Sequence, residues 1–266
     1  MSEFDIKKFQ QLMTDRSVII RHFTVSDAAC DGDLESLKLL LEHGAPICDF
    51  AVVLATTYGH VECLQLLLTH NAPIREDTVG YAAKRGYLEC LKLLLDHGAT
   101  ICKYTVEHAA HEGHLECLKL LLEREAPIGK NAVKYTAKNG HLTCMQLLIK
   151  HNAPIGKNAV GYAAREGHLE CLQFLLEHNA PIGKTAVAYA AEGGNLECLQ
   201  LLLERNAPID TTAVIYAVEE NKLDCLKLLL KYDAPFGKYA VEYAATEGNL
   251  EGLKLLVLNM LKRNVI

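Results

Sequence analysis

The sequence predicts an all-α solenoid built from nine stacked helix–turn–helix repeats of 27 residues. Three observations support this fold class: the spacing of the prolines, one recurring pattern of apolar residues, and a turn residue at the same place in every repeat. Every proline falls on one phase of the 27-residue period, and between Pro46 and Pro235 only Thr100 replaces a proline on that phase. The prolines are Pro46, Pro73, Pro127, Pro154, Pro181, Pro208 and Pro235. A fixed period of this length is typical of proteins in which each unit buries its apolar face against its neighbours.

We expect the chain to divide into three parts: a capping helix over 1–17, nine repeats over 18–260, and a tail over 261–266. A stack of repeats needs end units with a polar outer face. Apolar residues near the start fit such a cap, because their helical spacing is in phase with the second helix of a repeat. These residues are Ile6, Phe9, Leu12 and Met13.

The first helix of each repeat is predicted by a narrow apolar stripe, as in the repeat over 153–179. Valine stands at the eighth position of all nine repeats, from Val25 to Val241, and small residues follow three and four positions later. This spacing places them on one helical face, where small side chains let neighbouring helices approach closely. Asn158, just before the stripe, is expected to cap the helix. The equivalent position is held by Asn131, Thr185 and Thr212.

A turn glycine is expected to end each first helix, because glycine adopts left-handed backbone angles without a steric penalty. Asn221, the next most tolerant residue type, replaces it in the eighth repeat. The glycines are Gly32, Gly59, Gly86, Gly113, Gly140, Gly167, Gly194 and Gly248. The second helix, LECLQFLLEH at 169–178, has only a thin polar stripe, which predicts neighbouring helices on both of its sides.

Composition narrows the possible functions. Half of the 266 residues are hydrophobic, 23% are charged, and the net charge is −6. Nucleic-acid-binding domains usually carry a basic excess, so we expect no nucleic-acid partner. No stretch reaches the roughly 18 apolar residues of a membrane span, and residues 1–15 lack the apolar run of a signal peptide. We therefore expect no membrane partner and an intracellular, cytoplasmic location.

Seven of the ten cysteines form a ladder with one member per repeat, from Cys63 to Cys225. Stacked helices lie roughly 8–10 Å apart, whereas a disulfide needs Cα atoms about 4.4–6.8 Å apart. We therefore expect the ladder to be free thiols that act as small core residues. Cys48 and Cys102, in loops two repeats apart, are not expected to pair either.

Two sets of histidines are expected to have structural roles. One set follows the turn glycine, where an imidazole can hydrogen-bond to loop backbone: His60, His114, His141 and His168. The other lies near the C-terminus of the second helix, where a positive charge is favoured: His43, His70, His97, His151 and His178.

The cluster His108, His111 and His114 supports an alternative function as a metal-binding protein. His108 and His111 can share one helical face. Zinc usually takes four ligands, however, and Cys102 is the nearest thiol in the sequence. We therefore favour ordinary repeat positions for these histidines, and we predict no metal ion and no cofactor.

The stretch AAREGHLECL at 163–172 resembles the ankyrin repeat family. The Ala-Ala-x-x-Gly-His pattern, the Leu-Leu-Leu of the second helix, and pairs such as Gly44-Ala45 and Gly98-Ala99 are all similar to that family, over nearly the whole chain. Family repeats usually have about 33 residues. The missing six residues fall where ankyrin repeats usually carry a β-hairpin finger. The resemblance therefore implies a protein-binding stack without hairpins, whose contacts lie on the first helices and the short loops.

In the resembled family, the two residues before the turn glycine face a concave groove. Here these positions run from basic, as in Lys84-Arg85, to acidic, as in Glu219-Glu220. Such a gradient favours an extended partner of complementary charge. A tyrosine recurs nearby on the first helix, either as a packing ladder or as an aromatic contact strip. The predicted partner-binding residues are Lys84, Arg85, His111, Lys134, Lys138, Arg165, Tyr81, Tyr135 and Tyr162.

The leading hypothesis is therefore a non-enzymatic scaffold that binds another protein along the concave groove of the first helices. No pattern of a nucleophile with its base emerges, since each candidate is a repeat feature. A further alternative is a structural spacer or a homo-oligomer subunit. The stretch from Leu256 to Leu261 supports it, because this apolar segment could pack on another chain instead of lengthening the last helix.

Overall fold

The computed structural model describes residues 23–262, which form 18 α-helices in nine consecutive pairs. No β-strand occurs in this part of the chain, which confirms the all-α fold class. The first helices of the pairs are α1 (Phe23–Asp31), α3 (Ala51–Tyr58), α5 (Thr78–Arg85), α7 (Thr105–Glu112), α9 (Ala132–Asn139), α11 (Ala159–Glu166), α13 (Ala186–Gly193), α15 (Thr211–Glu219) and α17 (Lys238–Thr246). The second helices are α2 (Leu34–Glu42), α4 (Val61–Thr69), α6 (Leu88–Asp96), α8 (Leu115–Glu123), α10 (Leu142–Lys150), α12 (Leu169–Glu177), α14 (Leu196–Glu204), α16 (Leu223–Lys231) and α18 (Leu250–Lys262).

The described helices fall into two compact units. The first unit comprises residues 23–109 and 116–127, and the second comprises 110–115 and 128–262. Within each unit, the first helices pack on the first helices of neighbouring repeats. In the second unit, for example, α9, α11, α13, α15 and α17 contact one another in chain order, and α16 packs on α18.

The core of each unit is built from the repeated apolar positions. The repeated valine is completely buried in eight repeats, from Val25 to Val214. Val241 in the ninth repeat is only half-buried. The reason is that no further described helix packs beyond α17, so one side of this valine lacks the neighbour that covers the others.

The cysteine ladder lies in the core, as predicted. All seven members are buried, and all ten cysteines are free. Burial, with a smaller effect of neighbouring carboxylates, raises the pKa of Cys90, Cys117, Cys171, Cys198 and Cys225 to about 11. These thiols therefore stay protonated and unreactive at neutral pH. Off the ladder, Cys48 Sγ lies 2.7 Å from Ser26 Oγ, and Cys102 Sγ lies 3.1 Å from Thr105 Oγ1.

The turns after the first helices have the predicted left-handed backbone. The turn glycines have φ between 69° and 80°, and Asn221 takes their place with φ 51°. A second left-handed position, which the sequence reasoning missed, follows the second helix in repeats one to eight. It is held by glycine or asparagine in most of them, but by Glu125 (φ 56°) in the fourth and Asp233 (φ 55°) in the eighth.

The predicted caps of the first helices are wrong. Asn131, Asn158 and Thr185 each stand directly before the first residue of their helices, but none of these side chains makes a capping hydrogen bond. The backbone angles give the reason: Asn158 has φ −96° and ψ −9°, whereas a capping residue has an extended backbone from which its side chain reaches the second or third helical amide. In the eighth repeat, Thr212 lies inside the helix, and Asp210 caps it by accepting from Thr212 N–H at 3.0 Å.

The expected capping helix over 1–17 lies outside the described residues. At the other end, α18 continues to Lys262, so Leu261 and Lys262 of the expected tail belong to this helix. With 13 residues, α18 is four residues longer than the nine-residue α16.

Candidate partner-binding surface

The nine predicted contact residues lie on first helices of both units. Tyr81, Lys84 and Arg85 lie on α5 in the first unit, and all three are exposed. The other six lie on α7, α9 and α11 in the second unit, where several of them contact one another. These six are His111, Lys134, Tyr135, Lys138, Tyr162 and Arg165.

The ring of Tyr135 lies against two of the predicted residues. Lys134 Nζ is 4.5 Å from the ring centroid, and the His111 ring meets Tyr135 edge-on with centroids 5.3 Å apart. A lysine at this distance is attracted to the face of the ring. Because Tyr135 and Lys134 are half-buried, the cluster both joins neighbouring repeats and presents charge to the solvent.

Tyr162 contacts the next tyrosine of the series, Tyr189, with ring centroids 5.9 Å apart. The Tyr189 ring also lies over Gly161, where an added Cβ would come within 2.9 Å of Tyr189 Cδ2. Glycine at this position therefore makes room for the ring. This arrangement matches the packing interpretation of the tyrosines, whereas Tyr81 in the first unit is 39% exposed and matches the contact interpretation.

Arg165 is engaged in an ion pair between adjacent repeats. Its Nη2 lies 2.6 Å from Oε1 of Glu192, whose side chain is 23% exposed. Its guanidinium also lies 6.0 Å from the centroid of the Tyr189 ring. The basic character predicted for Arg165 is therefore partly neutralised by a carboxylate one repeat away.

An open cleft of about 640 Å³ in the second unit joins basic and acidic side chains. Its lining residues are Lys138, Arg165, Glu166, Glu192, Gly193, Asn195 and Glu220. Lys138 and Arg165 were predicted as contact residues from the sequence, whereas Glu192 and Gly193, which line the same cleft, were not. The available signal was their spacing, because they stand one period after Arg165-Glu166.

In several repeats, the side chain after the turn glycine forms a hydrogen bond to a backbone carbonyl of the preceding repeat. His141 Nε2–H donates to the His111 carbonyl at 3.2 Å, and His168 Nε2–H donates to the Lys138 carbonyl at 3.1 Å. Asn195 and Asn249 make the same contact through their amides. The predicted backbone hydrogen bonds of His60, His141 and His168 therefore form, and their acceptors lie 30 residues earlier in the chain.

Burial is the main cause that lowers the pKa of His141, and the neighbouring His168 and His111 act in the same direction. The hydrogen bond to the His111 carbonyl and the charge of Glu112 oppose this effect. His141 is therefore neutral at physiological pH, with the proton on Nε2 where it donates to the His111 carbonyl.

The described residues contain no group of three or more histidine, cysteine or acidic side chains that could hold a metal ion. His111 instead contacts Tyr135 and the carboxylate of Glu112, at 3.1 Å from Nδ1 to Oε1. Within residues 23–262, no helix is both long enough and apolar enough to cross a bilayer.

Comparison with known proteins agrees with the repeat architecture. A family model of three consecutive ankyrin repeats matches the chain at residues 25–105, 106–186, 133–211 and 187–265. These matches together cover almost all of the described helices. A comparison with curated proteins gives no match.

Proposed function

Because the chain belongs to the ankyrin repeat family, we propose that it is a non-enzymatic scaffold that binds another protein along its first helices. We call the exposed last turns of these helices the first-helix surface. It comprises Lys84 and Arg85 in the first unit and Lys138, Glu166 and Glu220 in the second.

The main support for this proposal is that some charged side chains of the first-helix surface form no ion pair among the described residues. Lys138, Glu166 and Glu220 are exposed and form no ion pair within residues 23–262. A side chain that gains nothing from its own fold is available to a partner, and charges at the rim of an interface mainly set its specificity and rate of association. We infer an extended partner segment with acidic residues opposite Lys138 and basic residues opposite Glu166 and Glu220.

The proposal includes an absence of catalysis and an intracellular location. Burial raises the pKa of Cys90, Cys117 and Cys171 to about 11 and keeps these thiols protonated, which supports the first point. Ten free cysteines support the second, because reducing compartments keep thiols unpaired.

The test is a pull-down from cell extract with a triple variant, Lys84→Glu/Arg85→Glu/Lys138→Glu. Loss of a partner that the parent chain captures is the expected result, because the variant places acidic groups opposite the acidic residues of the partner. The matched control is Lys38→Glu/Lys119→Glu/Lys150→Glu, which makes the same charge change on second helices.

Both variants should keep the helical circular dichroism spectrum, because all six side chains are exposed. If the two triple variants retain the same partners, the first-helix surface is not the binding site. If both lose the partner equally, net charge alone explains capture.

A further inference from the structure

A second candidate surface lies between the second helices α16 and α18. A groove of about 330 Å³ there is lined by Asn259, by three leucines, Leu230, Leu255 and Leu258, and by three lysines, Lys227, Lys231 and Lys262. No carboxylate lines it. We call this the α16–α18 groove; it shares no residue with the first-helix surface.

Leu258 departs from the pattern of the chain itself. The same position in the three preceding repeats is occupied by Lys231, Glu204 and Glu177, all of them exposed charges. Leu258 is 47% exposed, and Leu261, one turn later, is 55% exposed. A leucine at a solvent-facing position does not stabilise the packing of the repeats, whereas it can act as an apolar anchor for a bound molecule.

The charge around these leucines is positive in a chain whose net charge is −6. Lys227 is paired with Asp224 at 2.9 Å. Lys231 and Lys262 are exposed and form no ion pair within the described residues. The adjacent pair of second helices differs, because Glu204 on α14 stands one period before Lys231. Positive charge around exposed leucines is therefore a local feature of α16 and α18.

We propose that the α16–α18 groove binds an acidic amphipathic helix of a partner protein. Its leucine-sized side chains would enter the apolar part of the groove, and its carboxylates would face Lys231 and Lys262. A helix laid into a groove with anchors at every third or fourth residue is a common mode of recognition. A second copy docked symmetrically on this face fits less well, because a two-fold axis brings the same lysines towards each other.

The probe is a fluorescein-labelled peptide of about 14 residues, with leucines at every third or fourth position and glutamates between them. Its binding to the full chain is measured by fluorescence anisotropy. We expect saturable binding that weakens at least about tenfold when glutamines replace the glutamates of the peptide.

Two variants of the chain locate the site. Leu258→Glu and Lys231→Glu should each weaken binding of the glutamate peptide by at least about tenfold, because each places a carboxylate beside the carboxylates of the peptide. Glutamate already occupies the equivalent positions 177 and 204, so the repeat tolerates it. Lys150→Glu is the matched control, with the same substitution at the same repeat position of α10, and it should leave binding unchanged.

Several results would overturn the proposal. One is equal binding of the glutamate and glutamine peptides, and another is unchanged binding to Leu258→Glu. A third is self-association in sedimentation velocity that Leu258→Glu abolishes, without peptide binding, since the occupant is then a second copy. A fourth is binding to phosphatidylserine–phosphatidylcholine vesicles without peptide binding, since the occupant is then a lipid surface.

Discussion

Repeat six, α11 with α12, and repeat nine, α17 with α18, share valine, alanine and leucine at most equivalent core positions but differ in burial. Val160 and Ala164 are completely buried in repeat six, whereas Val241 is half-buried and Ala245 exposed in repeat nine. Leu250 is 75% exposed, whereas its counterpart Leu169 is half-buried. The difference shows that burial in this fold comes from the neighbouring repeat and not from the local sequence.

The largest expected loss of stability comes from leucine-to-alanine substitutions at equivalent positions of these two repeats. Leu172 is completely buried, whereas Leu253, at the same position in repeat nine, is half-buried. We expect Leu172→Ala to lower the free energy of unfolding by about 3 kcal/mol and Leu253→Ala to lower it by about 1 kcal/mol, because a cavity forms only where neighbours surround the side chain. Urea titration followed by circular dichroism measures both. Equal losses would mean that α18 is as well packed as α12.

An intermediate effect is expected where two repeats approach most closely. A Cβ at Gly193, the last residue of α13, would overlap the carbonyl oxygen of Arg165 in the preceding repeat. We expect Gly193→Ala to destabilise the fold by about 1–3 kcal/mol, although alanine favours a helix. Glu220, one period later, is exposed, and Glu220→Ala should stay within about 0.5 kcal/mol. The same urea titration measures this pair, and a stabilised Gly193→Ala would contradict the close approach.

The smallest expected effect concerns pH. Burial lowers the pKa of His141 below the usual 6.5 that it regains in the unfolded chain. Between these two values the unfolded chain binds more protons, so stability falls as the pH drops through that window. His141→Asn should reduce this loss, and Asn195 and Asn249 show that asparagine makes the same hydrogen bond. The measurement compares urea midpoints near about pH 7.5 and about pH 5.5 for both proteins. An equal loss in the variant would mean that other groups cause the pH dependence.

Features set by spacing along the chain could be predicted from the sequence. The phase of the helices, the left-handed turn at Asn221 and the burial of the cysteine ladder all follow from one period and the conformational limits of single residues. Contacts that depend on how side chains meet in three dimensions could not be predicted from the sequence. Asn158 does not cap its helix because its backbone is already helical, with φ −96° and ψ −9°, and a capping side chain needs an extended backbone.

The ion pair of Arg165 with Glu192 and the cleft around it could not be predicted from the sequence either. They depend on which rotamers meet across a repeat boundary, and spacing alone does not fix rotamers. The α16–α18 groove could be predicted from the sequence only in part. The apolar run from Leu256 to Leu261 is visible in the sequence, but the three lysines beside it lie on two different helices.

The hydrogen bonds from a side chain after the turn to the preceding repeat have a consequence for chain length. Each joins a side chain to a carbonyl 30 or 31 residues earlier, so every bond spans one period plus a few residues. Removal of residues 153–179 would therefore offer the Asn195 amide the carbonyls of Ala137 and Lys138 in place of those of Ala164 and Arg165. Where a histidine or asparagine follows the turn, a whole repeat can therefore be removed or added without loss of the hydrogen bond between the repeats that become neighbours.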